Sequence, residues 1–257
     1  MKFMSFCVLA LLVTLPVAPL TAAAGVERTD RTLVVAGASG RTGRHIVAQA
    51  LEAGFEVRAM TRDPQRAAAR IAADYPWIRA DVRESDRLRD ALSGAEFVIC
   101  AIGATEWSGP NSPEFVDYGG VVNLVDAAVA ARVRHFVLIS SARAGPHIDH
   151  TSNPRMGYVL EWKTRGEAHL KASGLSYTII GPGGLIDGTA GTAGIRLTSR
   201  ERYVRGLIAR ADVARLAIAA LTLPAAAGRS FAIVNDPDLA PHAWVEALQA
   251  VPLDRSR

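Results

Sequence analysis

The chain is poor in cysteine. Cys7 and Cys100 are its only two. Cys7 lies in an N-terminal apolar run that reads as a leader, so a mature chain keeps one thiol and no intramolecular disulfide. Cys100 falls in a strand pattern and is expected as a small core residue. There is no block of like charge either. The 29 basic and 25 acidic residues are interspersed, which suits small anionic ligands and gives no reason to expect a nucleic-acid partner. The six histidines supply no metal set: His147 and His150 share a loop, but no third ligand lies at metal spacing. Repeats and linkers are also lacking. The chain therefore has room for one domain, set at 31–250, with its substrate region at about 181–250.

The one long apolar run, Phe3 to Leu20, follows Lys2 and precedes Ala22-Ala23-Ala24. A charged start, an apolar stretch and small residues mark a secretory signal peptide over residues 1–24. The other readings are a membrane anchor and a start codon assigned too early. Pro16 and Pro19 disfavour a stable spanning helix. With the leader the protein is exported or periplasmic, without stable membrane insertion once the leader is removed; with a misassigned start it is cytoplasmic. No twin-arginine pair precedes the run to mark export of a folded, cofactor-loaded protein.

What the chain does have is glycine at a telling spacing. Leu33 to Ala36 is an apolar strand pattern, Gly37, Gly40 and Gly43 follow, and a helical pattern then begins at Ile46, Val47, Ala50 and Leu51. Strand, glycine turn and helix N-terminus together form an anion cradle. Gly37 turns the chain, Gly40 lets a pyrophosphate approach the backbone, and Gly43 brings the helix close to the strand. Ser39, Arg41 and Thr42 complete the turn. The other reading is a glycine-rich connection that binds nothing.

Strand and helix patterns then alternate, which argues for a doubly wound parallel sheet. The second strand, Glu56 to Met60, leads to Arg62 and Asp63. Arg62 suits the 2′-phosphate of NADP, with NAD as the other possibility, while Asp63 before Pro64 reads as a helix cap. Helix patterns cover Gln65 to Ala73 and Asp86 to Leu92, and strand patterns Trp77 to Ala80 and Phe97 to Ile102. Asp81, Val82, Ala101 and Gly103 at the strand ends are candidate adenine and ribose neighbours; for Val82 and Ala101 a core role is equally open. Phe115 to Ala131 reads as one long helix carrying Tyr118. The fifth strand, His135 to Ile139, ends at Ser140-Ser141, where Ser140 is placed to polarise a carbonyl or merely to cap the next segment. A helix spans Arg155 to Ser173, and a sixth strand Tyr177 to Ile180. Leu185 to Leu207, rich in Gly and Thr, is expected as a small lid. A short helix over Asp212 to Leu221, a strand over Phe231 to Val234 and a helix over Pro241 to Ala250 close the chain.

Several of these segments, taken in order, resemble a known family. They are Gly37-x-x-Gly40-x-x-Gly43, Asp81-Val82, Asp117-Tyr118-Gly119, Phe136-Val137-Leu138-Ile139-Ser140-Ser141, Lys163 with Glu167, Ser173-Gly174-Leu175-x-Tyr177-Thr178-Ile179-Ile180, Pro182-Gly183 and Asp212-Val213-Ala214. Together they resemble the atypical short-chain dehydrogenase/reductases. The likeness is greatest to the NmrA-like, NAD(P)H-binding branch with the β-type flavin and biliverdin reductases, over residues 31 to 250. The resemblance implies a Rossmann fold with one extra strand and a small C-terminal substrate region. It carries the glycine turn over as the cofactor site and Arg62 as the phosphate partner. Two departures stand out. Gly181 occupies a position where family members often have arginine. The Tyr-x-x-x-Lys dyad of classical members is broken, because Val159, not a tyrosine, lies four before Lys163. Tyr158 is five before it, about 140° around a helix. Lys163 holds the nicotinamide ribose or, equally, pairs at the surface with Glu167.

The expected function is an NADPH-dependent reductase of a small carbonyl, quinone or flavin-like substrate, with Ser140, Lys163 and Tyr118 as catalytic candidates and the proton coming from Ser140, Tyr118 or solvent. The alternatives are a non-catalytic NADP(H)-binding sensor or scaffold and an epimerase or isomerase.

Overall fold

A computed structural model describes residues 31–145 and 153–254; residues 1–24, His147 and His150 lie outside them. The fold is built around the first strand, β1 (Thr32–Ala36), every residue of which is buried. A strand buried on both faces must be apolar at successive positions, which is why the pattern is a continuous run rather than an alternation. Leu33 and Val35 join one core cluster; Val34 and Ala36 join the other.

Parallel neighbours flank β1 in the order β3 (Trp77–Arg79), β2 (Glu56–Thr61), β1, β4 (Phe97–Cys100), β5 (His135–Ile139), β6 (Tyr177–Pro182). The strand order reverses between β1 and β4, so a crevice opens at their carboxyl ends. Helices α1 (Gly43–Glu52) and α6 (Arg210–Thr222) cover one face, through Ile46, Val47, Val213 and Leu216. Helices α3 (Ser85–Leu92), α4 (Val121–Ala130) and α5 (Pro154–Ala172) cover the other, through Leu88, Leu124 and Leu170. Each such side chain contributes about 1.5–3 kcal/mol on burial. Helix α2 (Pro64–Arg70) starts where Asp63 accepts a hydrogen bond from the Arg66 amide, the cap expected from the sequence. Cys100 is fully buried, and burial pushes its thiol up to about 12.

Two expectations about elements need correction. The pattern read as one helix from Phe115 begins as a π-helix, Glu114–Gly120, before α4. Two glycines allow the wide turn to pack. A Cβ at Gly120 would lie 2.6 Å from Val82 Cγ2, and one at Gly166 on α5 would lie 2.8 Å from the Asp117 carbonyl oxygen. The segment read as a lid is divided. Its β8 (Gly194–Ser199) joins the main sheet, antiparallel to β10 (Arg229–Asp236), which pairs in parallel with β6. Only β7 (Gly184–Ile186) and β9 (Leu207–Ala209) form a separate small parallel pair. The alternation Ile195, Leu197 toward the core is short and flanked by glycine, which hid the strand. A final helix, α7 (Ala243–Gln249), packs Trp244 and Leu248 into the first core cluster. Among the described residues no helix is long and apolar enough to cross a membrane.

Candidate functional site

The crevice has a phosphate end and a ring end, built differently. At the phosphate end, Gly37 adopts φ +81°, and a Cβ there would lie 2.7 Å from the Ala101 carbonyl oxygen. Glycine is required on both grounds. The turn closes with the Gly40 amide donating to the Gly37 carbonyl at 2.9 Å. A Cβ at Gly43 would run into the carbonyl of Gly37, the residue just past β1, so its smallness lets the start of α1 lie against the end of the strand. Gly40 is the open position: its nearest neighbour would be that same carbonyl, at 3.1 Å. The amides of Arg41, Thr42 and Gly43 find no backbone acceptor among the described residues, and Thr42 makes no side-chain cap bond. Unpaired amides at a helix N-terminus with a space before them suit a pyrophosphate. Ser39 hydrogen-bonds Thr61 at 3.1 Å, tying the turn to the end of β2.

Arg62 stands exposed just past β2, its Nη1 donating to Asn111 Oδ1 at 2.7 Å. A second arginine, not anticipated from the sequence, reaches the same oxygen: Arg83 Nη1 lies 3.2 Å from it and 3.1 Å from the Pro110 carbonyl. Asp81 aims Arg83 through a two-pronged ion pair with contacts of 2.5 and 3.0 Å. Burial alone would raise the Asp81 carboxyl, but the Arg83 hydrogen bonds and charge hold it below the usual carboxylate range. Asp81 therefore acts here through Arg83. Val82 is core, with its carbonyl taking a bond from Asn123 at 2.9 Å. A cleft of about 350 Å³ adjoins these groups, lined by Asp81, Arg83, Pro110, Phe115, Gly119 and Asn123 among others. Arg41 forms an ion pair of 2.5 Å with Asp187, which also meets Arg210 at 3.0 Å, so the C-terminal segment touches the glycine turn.

The ring end depends on contacts between distant residues. Lys163 pairs with Asp117 at 2.6 Å, not with Glu167; the surface pair considered from the sequence is absent. The Asp117 side chain is 1% exposed and that of Lys163 is 18% exposed. Burial pulls the ammonium down, but the charge and hydrogen bond of Asp117 more than offset this, leaving Lys163 above the ordinary lysine value. Asp117 also accepts from the Ala104 amide at 3.2 Å, beside Gly103. The π-turn brings Asp117 inward, a displacement that 3.6-residue periodicity does not foresee.

Ser140 donates its hydroxyl to Glu167, which is buried and paired with Arg200 at 3.1 Å. A carboxylate only accepts, so the hydroxyl proton faces Glu167 and Ser140 has acceptor capacity left. Its expected role as a donor to a carbonyl does not fit this arrangement. Tyr118 packs its ring on Trp162 at 5.7 Å, and Tyr158 meets the same indole edge-on at 6.1 Å. Helix α5 begins at Pro154, with Asn153 capping the Arg155 and Met156 amides, so Tyr158 is fully helical and turned toward Trp162 rather than Lys163. Among the described residues there is no cluster able to hold a metal.

A twisted, mainly parallel sheet with a glycine turn at its switch point, carrying unpaired amides, defines a nucleotide-binding protein of the Rossmann type. A family described as NAD(P)H-binding matches residues 37–224, and the chain belongs to that family. Chloroplastic protein TIC 62 of Pisum sativum is 32% identical over 213 residues, 74% of this chain and 40% of that protein; the chain thus spans two-fifths of that relative's length. Sanguinarine reductase of Eschscholzia californica is 29% identical over 248 residues, covering 80% of this chain and 90% of the enzyme. Among solved structures, the oxidoreductase YlbE of Lactococcus lactis superposes with a TM-score of 0.71 at 22% identity, over 85% of this chain and 97% of that one. ChuY, an anaerobilin reductase of Escherichia coli O157:H7, gives 0.67 at 25% identity, over 82% and 99%.

Proposed function

We propose that the protein is an NADPH-dependent reductase of a planar, conjugated acceptor of the quinone or flavin type. The observation that carries this reading is the phosphate end: three unpaired amides at the start of α1, with Arg62 and Arg83 converging on Asn111 at the adjoining strand ends. Two guanidinium groups within reach of one neutral oxygen suit a 2′-phosphate, which would replace that oxygen with charged acceptors. When bound, the nicotinamide supplies the hydride. Lys163, held by Asp117, keeps two further donors for ribose hydroxyls. Ser140, at the end of β5, keeps acceptor capacity that a ligand amide or hydroxyl would use. Tyr118 and Tyr158 pack around Trp162, with the Arg165 guanidinium over the indole ring at 4.5 Å. Quinones and flavins take hydride without a dedicated side-chain acid, which fits a site where Ser140 faces Glu167 and Tyr158 is turned away from Lys163. The names of sanguinarine reductase and of the anaerobilin reductase, whose chains resemble this one, support a reductase.

NADPH and NADH titrations of the chain, followed by oxidation of NADPH with quinones, flavins and aldehydes, test the proposal. Tight NADPH binding with turnover of a flat acceptor is the expected result. Binding without turnover of any acceptor would support the sensor reading, which the broken tyrosine–lysine dyad favours. A targeting leader at residues 1–24 remains part of the proposal; the intact mass of the protein from its native host tests it.

A further inference from the structure

The space beside Gly181 is filled by an arginine from elsewhere in the chain. A Cβ at Gly181 would lie 2.7 Å from Arg200 Cζ, 2.9 Å from its Nη1 and 2.8 Å from the Ser141 carbonyl oxygen. Arg200 follows β8, in the short turn Arg200–Arg202. Its side chain is only 7% exposed, and it donates to the carbonyls of Ser141 and Ala144 and to Glu167 Oε1. Glu167, on α5, is 4% exposed at its side chain and also receives the Ser140 hydroxyl. One guanidinium thus ties the turn after β5, helix α5 and the C-terminal part of the sheet together. Its planar fork is suited to bonding two carbonyls and a carboxylate at once; an ammonium is not.

We propose that Arg200 is a positioning residue for the ring end of the site. It fixes the turn from Ser140 to Ala144, and through Glu167 it sets the direction of the Ser140 hydroxyl. That direction makes Ser140 an acceptor, so the site selects a ligand group that donates there, such as a carboxamide N–H or a ribose hydroxyl. The glycine at 181 is then a requirement: any larger side chain would displace the guanidinium. This inference rests on the coenzyme reading above, and the following experiment separates the two.

NADPH fluorescence is titrated with the full chain and with Arg200→Ala, Ser140→Ala and the double variant. For the native chain, bound nicotinamide emission should be enhanced. In Arg200→Ala the affinity, set by the untouched phosphate end, should change little, while the enhancement is lost. Ser140→Ala should lose the same enhancement, and the double variant should lose no more, because both changes remove one interaction. Millimolar methylguanidinium should restore the Arg200→Ala signal. In the coenzyme-free chain it should also reverse the faster amide exchange expected at Ser140, Ala142 and Ala144. If Arg200→Ala does not fold, Arg200→Lys decides: it keeps a charge against Glu167 but not the grip on both carbonyls, and should show the same loss of enhancement. Absence of NADPH binding by the native chain would sink the coenzyme reading. Native-like emission in Arg200→Ala or Arg200→Lys, or additive losses in the double variant, would sink the positioning role alone.

Discussion

The two ends of the crevice show two ways of building a site. The heart of the phosphate end is local: Gly37, Gly40, Gly43 and the amides between them lie within one turn, and only Arg62 and Arg83 come to it from other segments. The ring end is assembled across the chain. Asp117 meets Lys163, Ser140 meets Glu167, and Arg200 reaches both Ser141 and Glu167. A local backbone site tolerates side-chain change at most positions and fails abruptly at a few. A side-chain network is held by buried charge pairs, so each member affects stability as well as binding.

The largest effect should come from the phosphate end. Gly40→Val is expected to abolish NADPH binding while the protein stays folded, since the new side chain occupies the open space before the amides and strains only one contact, with the Gly37 carbonyl. Gly43→Ala should instead lower the unfolding midpoint, because its Cβ runs into that carbonyl with no room to move. Circular dichroism melts beside coenzyme titrations separate the two; equal loss of stability in both variants would erase the distinction.

At the ring end, Lys163→Ala should destabilise the fold by about 3–5 kcal/mol, because Asp117 is left buried and unpaired. Lys163→Met with Asp117→Leu should recover much of that stability but not the coenzyme affinity. Denaturant unfolding of the single and double variants checks this. A single variant as stable as the parent would show that the pair is not truly buried.

Arg62→Ala tests the 2′-phosphate reading. Loss of a charge-assisted contact is worth about 1.5–3 kcal/mol, so NADPH should weaken roughly ten- to a hundredfold with NADH little changed. Arg83→Ala should act in the same sense. Equal losses for both coenzymes would assign these arginines to the loop carrying Asn111 instead.

A third region, the opposite end of the sheet, serves as a control. Burial, and secondarily the charge of Arg134, push the His135 imidazole down to about 4. It is hydrogen-bonded to Ser176 and Thr178 at 2.8 and 2.9 Å. Unfolded, the ring takes its proton near the ordinary 6.5; folded, only near 4. Its contribution is fully present above pH 6.5 and declines as the pH falls to about 4, by a total of about 3 kcal/mol. His135→Gln should flatten that part of the pH–stability curve without altering NADPH affinity at neutral pH. The smallest effect is expected for Tyr158→Phe, which keeps the edge contact with Trp162 and removes a phenol turned away from Lys163. General acid catalysis contributes roughly 10²–10⁴-fold, so a loss on that scale would place the phenol in the reaction after all.

The sequence by itself did not determine the order of the strands, nor β7, β8 and β9; it did determine strands β1 to β6 and β10, the doubly wound parallel sheet and the glycine turn. Each is written in contiguous residues: an apolar run for a strand buried on both faces, glycines where a positive φ or a close carbonyl allows no Cβ, and Asp63 before Pro64 for a cap. Lys163 was visible as a residue of interest, but its partner was not. Helical spacing offered Glu167; the π-turn brings in Asp117 instead, and periodicity carries no mark of such a turn. Nothing in the sequence singled out Arg83; Asp81 and Asn111 give it its direction in the fold. Arg200 sat in a stretch with no periodicity and no motif, and the strand before it was hidden among glycines. Only the tertiary structure decided these, because a buried ion pair or a shared carbonyl is fixed by how strands and helices stack, and residues far apart in the chain leave no common pattern in it.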